Sequence, residues 1–311
     1  MIGLYDFDSM IYASTYRIVD IEKIKEWFDA GRTKDWMTKE IVQLAVNRLL
    51  NTSVQVLNAV EETGITIEET EYYITACRES ERKKRYPEYK SGRRKKVAPL
   101  RKWVNLVRTY IHDEMNFVGK SMKWEADDLV HDRAIEIGYE KCIVISIDKD
   151  LRQIAGLHFD INKVVAKDEF GNIVLDNFGN PLKEYKGLDI VTPKEAEFNF
   201  WSQVISGDSG DSIPGSFSFG VKKAQDLIRE GQELGSSLED IAKEAYYTAE
   251  MKKLKRELNS SDPKFKKLSF KKYREDLETV NPLCVDLDEL KEKSLKEYEL
   301  NYFLIKLGTK R

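Results

Sequence analysis

The chain has 311 residues, 41% hydrophobic and 34% charged, enough for one large domain or two small ones with a real core. No apolar run approaches the length of a membrane span, and Met1 leads into a strand rather than a charged segment and apolar signal core, so a cytoplasmic protein is expected. Cys77, Cys142 and Cys284 are far apart and odd in number, and His112, His131 and His158 are scattered without a partner motif. These spacings argue against a disulfide framework, a zinc site and histidine chemistry.

Residues 1–7 and 141–147 are short apolar runs of strand type. Each delivers an aspartate just past its carboxyl end, Asp6 in the first case and Asp148, followed by Asp150, in the second. Open parallel sheets bind ligands at that edge. Residues 38–64 place Ile41, Val42, Ala45, Leu49, Val56, Leu57 and Val60 at helical spacing and read as one long core helix or two. A strand is expected over 71–77. Residues 81–96, ERKKRYPEYKSGRRKK, hold nine basic and two acidic residues, so their local charge of +7 in a chain of net −3 leaves −10 elsewhere. Tyr86 and Tyr89 interleave with arginine and lysine there, the combination that neutralises phosphates and stacks bases.

Residues 125–137 carry Ala126, Leu129, Val130 and Ala134 at helical spacing, with Gly138 as a C-cap. Glu125, Asp127 and Asp128 then lie in the first turn, where the helix dipole favours acids. Asp168-Glu-Phe-Gly-Asn172 and Asp176-Asn-Phe-Gly-Asn180 are related turns around an apolar run, the pattern of a β-hairpin excursion. Thr192-Pro193 starts a helix through Trp201, and residues 237–311, rich in Lys, Glu and Leu, are helical throughout.

Asp6, Glu125, Asp127, Asp128, Asp148, Asp150, Asp208 and Asp211 each stand beside an apolar run or a glycine turn. Oxygen-only ligands in that placement suit magnesium, with manganese as a substitute. Two such ions about 3.5–4 Å apart would clamp the attacking and leaving oxygens of an in-line phosphoryl displacement.

Taken together these blocks resemble the 5′-nuclease family, which includes flap endonucleases, the 5′-nuclease domain of bacterial DNA polymerase I and phage 5′-to-3′ exonucleases. Asp6 with Tyr12, Glu125-Ala126-Asp127-Asp128, and Asp148-Lys149-Asp150 match its acidic blocks in order. Gly207-Asp208-Ser209-Gly210-Asp211-Ser212-Ile213-Pro214-Gly215 is similar to its Gly-Asp-x-x-Asp-Asn-Ile-Pro-Gly, which opens a helix-three-turn-helix and continues here through Gly220, Lys222 and Lys223. Arg82, Tyr86, Tyr89, Lys90, Gly92 and Arg93 resemble the family's Arg…Tyr…Tyr-Lys-x-Gly-Arg at the base of a helical arch. The match spans about residues 1–230.

The resemblance implies that Asp6, Glu125, Asp127 and Asp148 hold the tighter metal site, and Asp128, Asp150, Asp208 and Asp211 the second. It implies that Arg82 and Lys83 or Lys84 contact the scissile phosphate. Tyr86, Tyr89, Lys90, Arg93, Arg94, Gly215, Gly220, Lys222 and Lys223 would meet DNA. It also implies potassium at the helix-three-turn-helix. Two departures stand out. Thr75 occupies the place of a second-strand aspartate, with Asp8 or Glu79 as substitutes, and Ser216-Phe217-Ser218-Phe219 replaces a Val and a Gly-Ile-Gly loop.

The architecture expected is α/β, with a central, mostly parallel sheet flanked by helices. Residues 1–205 form the catalytic domain, including a basic arch over about 78–108, and residues 206–311 a helical region with the DNA-binding motif over about 206–230. The function expected is metal-dependent 5′-to-3′ exonuclease action on duplex DNA ends, leaving 5′ phosphates. Flap cleavage and RNA primer removal, hence RNA–DNA hybrids, belong to the same reading. No polymerase part follows residue 311, so a stand-alone nuclease of phage or cellular type is expected. A flap-binding protein that cleaves poorly and a related ribonuclease are the alternatives; metal-dependent cleavage separates the first, and RNA against DNA substrates the second.

Overall fold

The computed structural model describes residues 1–15, 26, 29–31, 36–75, 80–94, 98–115, 118–121, 123–261, 269–281 and 285–309. They fall into two compact units. The first comprises Met1–Lys84, Arg94–Ala196 and Leu307–Arg311, and the second Arg85–Arg93 and Glu197–Lys306. The expected division at residue 205 differs on three counts: the second unit begins earlier, it takes nine residues of the basic segment, and the chain end returns to the first.

The first unit is built on a six-stranded sheet in the order β3-β2-β1-β4-β5-β6. The strands are β1 (Ile2–Asp6), β2 (Glu69–Thr75), β3 (Val118–Ser121), β4 (Cys142–Ser146), β5 (Gly156–Val165) and β6 (Lys183–Val191). All neighbours pair parallel except β6, antiparallel on β5. Strands β1 and β4 are apolar on both faces because helices cover both sides. Tyr5, Ile143 and Ile145 pack against α1 (Phe7–Thr15), α2 (Trp36–Glu61) and α4 (Ala98–Glu114). Leu4, Cys142 and Val144 pack on the opposite side with Val130 and Ala134 of α5 (Ala126–Ile137) and with Leu307. The chain winds one way from β1 to β3 and the other way from β4 to β5, so the strand order reverses between β1 and β4.

One expectation is corrected here: the arch does not extend over residues 103–108, because α4 buries Trp103, Val104 and Val107, with Ile111, in the core. The expected hairpin excursion is present, with β5 and β6 antiparallel and antiparallel bridges Lys167–Ile173 and Leu175–Pro181 at its two turns, which close on one another as a ring. Ala166 N donates to Leu182 O, Leu182 N to Val174 O and Val174 N to Ala166 O. The Asp168 and Asp176 carboxylates each accept two backbone N–H groups of their own turn. This leaves Phe170 and Phe178 exposed at separate corners.

The second unit is helical: α6 (Pro193–Ser206, from Glu197 onward), α7 (Val221–Glu233), α8 (Leu238–Ser261), α9 (Phe270–Thr279) and α10 (Leu287–Ile305). Its core joins Trp201, Val204, Ile213, Ile228, Tyr246 and Tyr298. The short α3 (Glu81–Arg85) leads from the first unit into it.

Candidate carboxylate site and basic segment

Asp6 ends β1 and is buried. Its Oδ1 accepts from Asp8 N at 3.0 Å and its Oδ2 from Ser146 Oγ at 2.8 Å. The Ser146 hydroxyl in turn accepts from Asp148 N at 2.9 Å, so one serine at the end of β4 joins the two strand-end aspartates. Asp148 Oδ1 caps the following turn by accepting from Asp150 N at 2.9 Å. Burial pushes the Asp6 carboxyl up to about 7, and the charges of Asp8, Asp148 and Asp127 add to the rise. These acids therefore stand close enough to repel one another at the β1/β4 reversal, where doubly wound sheets hold ligands.

Glu125 is the N-cap of α5, with Asp127 and Asp128 in its first turn. The buried Arg82, only 2% exposed, is drawn onto all three. Its Nη1 lies 2.8 Å from Glu125 Oε2 and 3.6 Å from Asp127 Oδ1, and its two η nitrogens hold Asp128 at 2.8 and 3.0 Å. Thr75 Oγ1 accepts from Ala126 N at 3.0 Å, so the residue at the missing-aspartate position satisfies an end group of this helix. Asp8 does not stand free to replace that aspartate: it accepts from Thr75 N and from Arg108 Nε, both at 2.9 Å. Glu79 and the Tyr12 side chain lie outside the described residues.

The donor chemistry, all oxygen and mutually repelling at Asp6, fits a hard divalent cation. Among the described residues, however, no three Asp, Glu, His or Cys side chains converge into a ready ligand group. Arg82 holds Glu125 and Asp128 on its guanidinium.

In the second unit Asp208 organises the glycine turn. Asp208 and Ile213 exchange backbone bonds, and Asp208 Oδ1 accepts from Gly210 N at 2.7 Å. Gly207 and Gly215 lie at φ of +71° and +64°, and a Cβ on Gly215 would sit 2.3 Å from the Ser206 carbonyl, so glycine is required at this close approach. Asp211 is buried and pairs with Lys90 Nζ at 3.7 Å, while Lys90 N donates to Asp211 O. The basic segment thus clips onto the turn through Lys90 and through Gly92 N to Ser212 Oγ.

Within that segment Tyr89 is buried in the second unit's core and Tyr86 packs against it, so Tyr89 is a packing element rather than a stacking platform for bases. Arg85 lies over the Phe303 ring. Lys84 pairs with Glu81 at 2.7 Å, and Lys83 is half-buried. The Arg93 and Arg94 side chains lie outside the described residues. Lys222 and Lys223 are exposed at the start of α7, whose N-cap is Gly220. Lys223 Nζ reaches Ser218 O and Lys252 Nζ reaches Ser218 Oγ. Ser146, the Thr75 hydroxyl and Lys252 escape sequence reading because only the strand pairing and helix packing bring them to these partners.

Fold and site define a doubly wound α/β core with a carboxylate group at its switch point. Residues 31–177 match the family model of the 5′-3′ exonuclease, N-terminal resolvase-like domain. The chain is 28% identical over 219 residues to flap endonuclease Xni of Shewanella putrefaciens, covering 68% of this chain and 73% of that protein. Against Xni of Shewanella frigidimarina it is 30% identical over 187 residues, 56% of this chain and 66% of the other. Bacteriophage T5 5′-exonuclease with bound zinc aligns over 98% of this chain and 88% of its own, with a TM-score of 0.46 and 15% identity. These matches support the 5′ nuclease family and a nuclease activity, with the family model covering residues 31–177 of this chain.

Proposed function

We propose that the protein hydrolyses DNA phosphodiesters at or near 5′ ends, with a divalent metal held by Asp6, Glu125, Asp127 and Asp148. The observation that carries this is the geometry at the sheet's switch point, where Ser146 joins the buried Asp6 to Asp148 and the charges of Asp8, Asp148 and Asp127 bear on the Asp6 carboxyl. Such self-repulsion is relieved by a cation. The resemblance adds Asp150, Asp208 and Asp211 as ligands of a second ion, an assignment that rests on the motif. When bound, magnesium or manganese would lower the pKa of water and stabilise charge on the scissile phosphate. Ser146 orients Asp6 and the Asp148 backbone, with Asp6 buried and Asp148 open to solvent. Lys83 remains the proposed phosphate contact. Arg82 is withdrawn from that role, because its guanidinium is buried on carboxylates. In the loop where the resemblance implies potassium, the Lys223 and Lys252 ammonium groups meet Ser218.

The relatives named flap endonuclease support a 5′ flap as substrate. The test is cleavage of a doubly labelled 5′-flap duplex in magnesium, with EDTA and Asp148→Asn as controls. Metal-dependent products counted from the 5′ end, reduced at least ~10³-fold in the variant, are expected, on the scale of losing a ligand-dependent transition-state interaction. Mononucleotides identify exonuclease action, and a cut at the junction identifies flap cleavage. Binding without cleavage in both magnesium and manganese would overturn the reading.

A further inference from the structure

We infer that Asp128 is a positioning residue rather than a metal ligand, and that residues 307–309, near the chain's C-terminus, latch the carboxylate helix through it. The inference rests on the nuclease reading of the Glu125–Asp128 turn.

A carboxylate offers about four lone-pair directions, and Asp128 uses four. Oδ1 accepts from Arg82 Nη2 at 2.8 Å and from Gly308 N at 3.0 Å. Oδ2 accepts from Arg82 Nη1 at 3.0 Å and from Glu125 N at 3.2 Å. The residue is 1% exposed, and the guanidinium supplies its counter-charge. A metal would have to displace an N–H donor from a buried carboxylate, leaving that donor unsatisfied. Asp127, adjacent in sequence, is more exposed and touches Arg82 only at 3.6 Å.

The tail contact is built at three consecutive residues. Leu307 is buried against Val130, Ala134, Leu4 and Val144. Gly308, at φ +97°, presents its amide to Asp128. A Cβ there would sit 2.7 Å from both Asp132 Oδ1 and His131 Nδ1. Thr309 N donates to both oxygens of Asp132, at 3.2 and 3.0 Å, and its hydroxyl donates to Asp132 Oδ2. Asp128 and Asp132 are four residues apart, so the tail lies along one face of α5. It fixes the turn from which Glu125 and Asp127 project.

The test compares full-length Asp127→Asn, Asp128→Asn, Gly308→Ala and Thr309→Val. Manganese is counted by electron paramagnetic resonance, and cleavage is followed against magnesium and DNA concentration. Asp127→Asn should lose an ion or weaken manganese at least tenfold. Asp128→Asn should bind the wild-type number of ions within threefold in affinity, yet lose at least tenfold in kcat at saturating metal. Gly308→Ala and Thr309→Val should lower kcat severalfold at unchanged KM and unchanged metal requirement. Combining Gly308→Ala with Asp128→Asn should add little to the loss from Asp128→Asn alone. Loss of an ion in Asp128→Asn, or wild-type kcat in both tail variants, overturns the inference. If Asp128→Asn fails to fold, the tail variants decide. If the wild-type protein binds manganese but does not cleave, the nuclease reading fails while the ion count still decides whether Asp128 is a ligand.

Discussion

Glu71 and Arg133 show what a single pair does in this fold. Arg133 reaches across from α5 to β2 with a bidentate grip, Nε at 2.9 and 3.1 Å and Nη2 at 2.7 Å. The grip holds the Glu71 carboxyl below its ordinary 4.5. A depressed carboxyl contributes stability that is present above the unfolded value and is lost as pH falls through the folded one. Both partners are partly exposed, so solvent screening limits the pair to about 1 kcal/mol. Glu71→Gln should therefore lower urea-denaturation stability by about that amount at pH 7. The difference from wild type should shrink as pH falls below 4.5.

At the scale of elements, the Arg82 side chain ties α3 to α5. Arg82 is buried with three acids, and its removal strands them without a counter-charge, a loss of about 3–5 kcal/mol for a broken buried pair. Arg82→Gln should thus fail first in thermal unfolding, with DNA affinity of the folded fraction changed less. A phosphate contact would give the reverse order. The Ser216–Phe219 loop makes a second element-level expectation. Because Lys223 and Lys252 already place ammonium groups on Ser218, exchanging potassium chloride for sodium chloride at equal ionic strength should leave duplex binding unchanged in fluorescence anisotropy. A severalfold preference for potassium would favour the cation site.

For the whole molecule, the charge run at residues 81–96 suggests nine phosphate-ready cations, but folding commits several of them. Arg82 is buried on acids, Lys84 pairs with Glu81, Arg85 covers Phe303 and Lys90 pairs with Asp211. Each phosphate neutralised contributes about 0.9 to the slope of log affinity against log salt on duplex DNA. The measured slope should accordingly fall well short of the roughly 8 that nine free cations would give.

How much of this was legible in the chain follows from what each signal depends on. The strand ends of β1 and β4 were readable because a short apolar run closed by an aspartate is a local pattern, and the parallel sheet follows from runs buried on both faces. The first turn of α5 was readable for the same reason, and the turn at residues 207–215 because its glycines are fixed by local backbone geometry. The basic segment misled in part: charge and aromatic content are visible in sequence, whereas burial is not, and Tyr89 and Arg82 look like ligands for a polyanion until the packing is known. Residues 103–108 were expected within the arch and the chain end within the helical region, yet α4 buries Trp103, Val104 and Val107 in the core and Gly308 reaches Asp128 from 180 positions away. By itself the sequence determined which carboxylates stand at strand and helix ends, because backbone periodicity and turn geometry act over a few residues. Only the tertiary structure decided which carboxylates are spent on an arginine and a returning tail, because that choice depends on desolvation and on partners that meet only when distant segments pack.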